Sequence, residues 1–295
     1  MDLPYSDQPK LHTKAPYRAA LLQYPGNFKE ALKQAKSDPA KTLFGAAHGI
    51  PSVYVTKIIA STRPDFIWID VEHGIFDRRT LYDAVQAVQH HSEGHTVAVV
   101  RVPKHDETAL STALEAGAAA IIIPHCESAE EVRAFVRETY FPPEGQRSYS
   151  PWTFTPGISD ASLYDNDPFN FKSSNNHITL IPQIETVKGI ENLDEIAAVP
   201  EVGALMFGPV DYMADAGIPL KISKVFPPDL VAAIEKFAAA GEKHGKPLFG
   251  AAMAPEMIPH LIKQGYRAIC VGFDTAGLAR FFKGGLDTAK QLAQQ

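Results

Sequence analysis

Short runs of β-branched and other apolar residues alternate along this chain with longer stretches whose apolar positions recur every three or four residues. The first pattern belongs to strands buried on both faces, the second to amphipathic helices. Strands are predicted at Thr42–Ala47, Asp65–Val71, Thr96–Val102, Ala119–Pro124, Ile178–Ile184, Gly203–Gly208, Pro247–Ala252 and Ala268–Phe273. Between them lie helical patterns such as LYDAVQAVQHH, ETALSTALEAG, AEEVRAFVRETY, DLVAAIEKFAAAGEKHG and APEMIPHLIKQG, several closed by a glycine at the C-terminal cap. Repeated strand-then-helix units of this kind predict an α/β fold, a (β/α)8 TIM barrel. An open doubly wound sheet is the rival. It is weakened by the lack of a G-x-G-x-x-G fingerprint after the first strand and of any Walker-type phosphate loop.

Two segments fall outside the repeat. Residues 1–40 form an N-terminal extension with a polar, proline-containing start and one short helical pattern, NFKEALKQAKS, suited to cover the bottom of the barrel. Residues 41–295 are then the catalytic barrel domain. Within it, the stretch 141–177 before the fifth strand holds Pro142, Pro143, Pro151, Pro156 and Pro168 among Tyr149, Trp152, Phe154, Tyr164, Phe169 and Phe171. A loop this long is usually functional or disordered, and the aromatic content argues against disorder. It reads as an ordered lid or subunit contact.

Composition narrows the function classes. The chain has 295 residues, 45% of them hydrophobic and 21% charged, with a net charge of -6, enough apolar chain for a large core. No basic excess or stripe is present, which argues against a nucleic-acid partner. No apolar run is long enough to span a bilayer and the start, MDLPYSDQPK, is unlike a signal peptide, so a cytosolic location without membrane attachment is expected. Cys126 and Cys270 fit neither a disulfide framework nor a C-x-x-C zinc pattern. Each ends an apolar run and reads as a buried thiol.

The chemistry of a barrel gathers at the C-terminal ends of its strands. Strand one is followed by His48; strand two delivers Asp70, Glu72 and His73; strand three ends at Arg101 and strand four at His125; strand five offers Gln183 and Glu185, and strand six Asp211. His48 and His125 each have a duller reading as satisfied core-edge histidines, and Glu72 as a surface acid facing away from the mouth. Neighbouring parallel strands bring Glu185 and Asp211 to the same end of the sheet, where two carboxylates suit a divalent cation, Mg²⁺ or Mn²⁺, with positions left for substrate oxygens. The alternative, Glu185 as a first-turn helix acid and Asp211 as a turn residue, stays open at this point.

These parts assemble into one proposal. The cation would hold a 2-oxo acid through its carboxylate and keto oxygens, Arg101 would stabilise the enolate, and His73 would act as acid/base with Asp70 setting its tautomer. Gln183 would donate a neutral hydrogen bond near the metal or substrate. A Schiff-base route needs a desolvated lysine at a strand end, and Lys104, in the polar loop RVPKHDE, reads instead as a solvated charge.

Four blocks, WIDVEHG (68–74), VVRVPKHD (99–106), PQIETVKGIENLDEIAAVPEV (182–202) and FGPVDYMADAG (207–217), resemble in order and in strand position the signatures of the HpcH/HpaI aldolase family of metal-dependent 2-oxo-acid aldolases. The resemblance implies Glu185 and Asp211 as ligands of Mg²⁺, Mn²⁺ or Co²⁺, Arg101 as the enolate-stabilising arginine, and Asp70 with His73 as the acid/base pair. It places Gln183, Gly208, Pro209 and His125 on the pyruvate side. Pyruvate or oxaloacetate with an electrophile would be the small-molecule partners, and the subunits would form a homohexamer of dimers that exchange their C-terminal helices. The start of the chain, VQHHSEG, SPWTF and NDPFN are most similar to a branch that decarboxylates oxaloacetate and adds the enolate to a 2-pyrone. That branch has a pyrone-holding tyrosine where this chain has Phe169, which leaves the enolate half intact and opens the question of the electrophile. A non-catalytic barrel that binds a 2-oxo acid is the third reading, and it predicts a missing site group where none is missing.

Overall fold

A computed structural model describes residues 27–148, 175–220 and 226–294. Eight parallel strands, β1 (Leu43–His48), β2 (Phe66–Asp70), β3 (Val97–Arg101), β4 (Ala120–Ile123), β5 (Thr179–Ile184), β6 (Leu205–Phe207), β7 (Leu248–Ala251) and β8 (Tyr266–Phe273), pair in sequence order. β8 closes on β1 through Leu43 opposite Ala268, so the sheet has no free edge. All eight match the predicted segments to within a residue or two at each end.

Alternation along the strands decides which residues the barrel encloses. Phe66 and Trp68 of β2, Val97 and Val99 of β3, Ile122 of β4, Ile181 of β5, Met206 of β6 and Phe249 of β7 form one buried cluster inside the barrel. The residues between them, such as Ile67, Ile69, Val100, Ile121 and Ile184, join a second cluster beneath the helices. A period of two therefore carries Asp70, Arg101, Gln183 and Glu185 inward at the top of their strands. The register sets Asp70 opposite Arg101 and Gln183 opposite Met206.

The helices follow their local signals. After α1 (Phe28–Ser37) and α2 (Val53–Ser61), α3 (Arg78–His91), α4 (Glu107–Ala116) and α5 (Ala129–Thr139) are capped by the Asp77, Asp106 and Ser128 side chains, and Gly117 ends α4 in the left-handed region at φ 100°. α1 buries Phe28, Ala31, Leu32 and Ala35, with the Phe28 ring 5.7 Å from Phe66 at the N-terminal end of the barrel. After β5 the chain makes two short helices, α6 (Val187–Glu191) and α7 (Leu193–Ala197), and after β6 comes α8 (Pro209–Asp215), followed by α9 (Pro228–Lys243). The APEMIPHLIKQG pattern divides into a 3-10 turn at Pro255–Met257 and α10 (Ile258–Lys263), because Pro259 cannot donate into a continuous first turn.

The last helix, α11 (Asp274–Leu292), buries none of its residues and exposes Leu278, Phe281, Phe282 and Leu286. No helix among the described residues is long and apolar enough to cross a membrane. Cys126 and Cys270 are both buried and unpaired, as expected. The greater part of the 141–177 loop, Phe169 included, lies outside the described residues.

Inside the barrel Gly45 faces Phe66, and a Cβ there would collide with the ring. Gly45→Ala is expected to cost about 1–3 kcal/mol by overpacking. The check is a lower urea midpoint with an unchanged slope.

Candidate active site

The mouth of the barrel is organised around a buried guanidinium. Arg101 is 7% exposed, and its Nε and Nη2 donate to the two oxygens of Asp70 at 2.9 and 2.7 Å, a bidentate fork. Its Nη1 reaches Gln183 Oε1 at 3.3 Å and lies 3.2 Å from Glu72 Oε2. Below it the Trp68 ring lies 5.1 Å from the guanidinium carbon. Burial works against the charge, but the Asp70 hydrogen bonds and the nearby Asp70, Glu72 and Glu185 charges outweigh it and raise the pKa.

Beside the arginine stands the second buried charge. Glu185 is 1% exposed; its Oε1 accepts the main-chain N–H of His125 at 2.7 Å, and its Oε2 accepts a short bond from Gln183 Nε2. Burial pushes the Glu185 carboxyl up, the Asp211 charge adds to this, and the His125 and Gln183 donors oppose it. Asp211 sits exposed in the first turn of α8. Gly208 passes directly over Glu185: a Cβ there would strike the carboxylate, so only glycine leaves that approach open. Among the described residues no group of three or more His, Cys, Asp or Glu side chains converges as a closed metal cage. Two oxygen donors with an open approach are what a hard divalent cation shared with substrate takes, and this donor set fits Mg²⁺, Mn²⁺ or Co²⁺.

The acid/base pair differs from its expected arrangement. Asp70 is committed to Arg101, and its Oδ1 also accepts the main-chain N–H groups of Glu72 and His73 at 3.2 and 3.3 Å. The His73 imidazole turns outward, 69% exposed, and the carboxylate beside it is Glu72, 3.8 Å from Nε2. The turn after β2 binds Asp70 to the His73 backbone, which directs the ring away from it. Glu72 is only 15% exposed and stands between His73 and Arg101. It was legible only as one strand-end acid among others, because it lies in the turn after β2, where strand alternation no longer sets direction.

His48 is fully buried, with Nδ1 2.8 Å from Asp274 and Nε2 2.8 Å from Thr56 Oγ1, a satisfied core histidine that ties β1 to the start of α11. His125 is half-exposed at the mouth, its Nδ1 3.7 Å from Glu185 Oε1 and its backbone at φ 45°. Lys104 is not a solvated charge: its Nζ donates to the His125 carbonyl at 2.8 Å and to Glu131 at 3.0 Å. The arrangement offers a fixed cationic donor, two carboxylates and an outward imidazole within one mouth.

Comparison with known proteins agrees with this geometry. The profile of the HpcH/HpaI aldolase/citrate lyase family matches residues 50–280. The chain is 32% identical over 212 residues to the 2-dehydro-3,6-dideoxy-6-sulfogluconate aldolase of Pseudomonas putida, covering 72% of this chain and 78% of that one. It is 36% identical over 190 residues to the hydroxypyruvate/pyruvate aldolase of Roseovarius nubinhibens, covering 64% and 69%. The crystal structure of a macrophomate synthase superposes with a TM-score of 0.89 at 59% identity, over 100% of this chain and 99% of that one. With the barrel, its strand-end residues and these matches in hand, the chain belongs to the HpcH/HpaI aldolase/citrate lyase family.

Proposed function

We propose that this carbon–carbon lyase makes and breaks the bond next to a pyruvate enolate, by aldol cleavage or addition and by oxaloacetate decarboxylation. The observation that carries the reading is the Arg101 guanidinium, buried and fixed by Asp70, beside the Glu185 and Asp211 carboxylates. The family's chemistry is metal-dependent, and here Glu185 and Asp211 would hold Mg²⁺, Mn²⁺ or Co²⁺. The bound ion supplies Lewis-acid polarisation of the 2-oxo acid.

Arg101 keeps N–H capacity beyond its bonds to Asp70 and Gln183, and from it donates to the keto oxygen, where negative charge grows as the enolate forms. Gln183 orients the Glu185 carboxylate, and the missing side chain at Gly208 leaves room for the substrate carboxylate. In cleavage of a 4-hydroxy-2-oxo acid, His73 accepts the hydroxyl proton. The C3–C4 bond breaks, its electron pair enters the enolate and an aldehyde leaves. In decarboxylation the same pair comes from the bond to the departing CO₂, and no hydroxyl proton has to move.

Self-association belongs to the same reading. The unburied, apolar-studded α11 would pack on a second copy of the chain within a homohexamer. A second function, addition of the enolate to a 2-pyrone, is favoured by the full-length 59% identity to macrophomate synthase.

His73→Ala is expected to lower aldol cleavage by about 10²–10⁴-fold, the usual worth of general acid–base catalysis, while sparing most oxaloacetate decarboxylation. Steady-state assays of both reactions on one preparation check it, and equal losses would make His73 a substrate-positioning group instead. Phe169→Tyr is expected to raise 2-pyrone conversion about twofold to tenfold, the gain of one hydrogen bond, with decarboxylation unchanged. Product formation from a 2-pyrone and oxaloacetate by both proteins is the check, and efficient conversion by the unmodified chain would promote the second reading.

A further inference from the structure

The turn between β4 and α5, His125–Ser128, is held at several of its polar backbone groups. The Cys126 N–H donates to the Gln183 carbonyl at 3.0 Å, the Glu127 N–H to Glu131 Oε2 at 2.8 Å, and Asn192 Nδ2 donates to the Glu127 carbonyl at 2.9 Å. The His125 carbonyl accepts a bond from Lys104 Nζ at 2.8 Å. Lys104 reaches it across from the loop after β3, with its second bond to Glu131 at 3.0 Å and its side chain 23% exposed.

This grip coincides with an unfavourable backbone. His125 has φ 45°, in the left-handed region where a side chain bearing a Cβ is disfavoured. A non-glycine residue stays there only when its surroundings over-determine it. The result of that conformation is specific: the His125 N–H points at Glu185 Oε1, 2.7 Å away, and fixes the plane of a buried carboxylate whose one other donor among the described residues is Gln183. One lysine bond thus lies at the far end of a continuous line from the β3 loop, through the peptide flanks of His125, to Glu185.

We propose that Lys104 is a positioning residue for the cation site, holding the strained His125 backbone so that its N–H orients Glu185. This rests on the reading of Glu185 as a cation ligand. The sign of the expected effect separates positioning from simple charge. A lysine near a cation site repels the cation through space, so removing it by electrostatics alone would tighten cation binding or leave it unchanged. Loss of positioning weakens binding.

The test is calorimetric titration of the full-length protein with Mn²⁺ alone, without substrate, on the parent, Lys104→Met, Lys104→Arg, His125→Gly and the His125→Gly/Lys104→Met double variant. Lys104→Met is expected to weaken Mn²⁺ affinity about tenfold, and Lys104→Arg to restore most of it. In the His125→Gly background, where the left-handed conformation costs nothing, the same lysine substitution is expected to cost less than twofold. Unchanged or tighter binding by Lys104→Met overturns the proposal, as does an equal loss in both backgrounds. Should Lys104→Met not fold, Glu131→Gln, which frees the lysine's second anchor, is expected to weaken Mn²⁺ binding about threefold, and unchanged affinity there overturns the proposal. Glu185→Gln is titrated alongside. If it binds Mn²⁺ as well as the parent, the ligand assignment itself fails; if it loses Mn²⁺ while Lys104→Met does not, only the role of Lys104 fails.

Discussion

The guanidinium of Arg101 is buried at the barrel mouth, and the groups around it are arranged to keep it charged. An unpaired buried charge costs several kcal/mol, so the fork to both oxygens of Asp70 is the bond on which the site depends. That bond has a consequence for the neighbours. With Asp70 spent on Arg101 and on two backbone amides, it has no oxygen directed at the His73 ring, and Glu72 takes the place beside the imidazole. The mouth then carries Asp70, Glu72, Glu185 and Asp211 beside Arg101, an excess of negative charge.

The barrel delivers this arrangement through alternation and register. Phe66 and Trp68 point into the core, so Asp70 follows on the same face; Val97 and Val99 do the same for Arg101, and Ile181 for Gln183 and Glu185. The Trp68 ring below Arg101 joins the candidate site to the aromatic packing of Phe249 and Phe273. Substitutions in that layer therefore act on the position of a charge as well as on volume. The same logic makes Gly208 a site residue without a side chain, since its backbone passes where any Cβ would displace Glu185.

Strands were the legible part of the fold because buried parallel strands are near-continuous apolar runs, and their ends marked Arg101, Gln183, Glu185 and Asp211 directly. Turn geometry was not legible. No pattern in WIDVEHG tells whether the Asp70 carboxylate meets the ring or the backbone of His73, because three residues of irregular chain decide it. Lys104 looked like a solvated charge since its partner is a backbone carbonyl from another loop, and a carbonyl has no letter in a sequence. His48 shares its strand-end position with functional groups, but its fixed partners, Thr56 and Asp274, come from α2 and from the far end of the chain. The exposed α11 has an ordinary amphipathic pattern; what distinguishes it is that none of its residues is buried among the described residues.

We propose that the Glu185 and Asp211 carboxylates hold a divalent cation beside the fixed Arg101. The most direct test is oxaloacetate turnover by the full-length protein after chelation, followed by stepwise return of Mg²⁺, in the parent, Glu185→Gln and Asp211→Asn. The account predicts that chelation abolishes turnover, that Mg²⁺ restores it saturably in the parent, and that neither folded variant recovers. Chelator-resistant turnover, or a pyruvate adduct trapped on a lysine by borohydride, would contradict it.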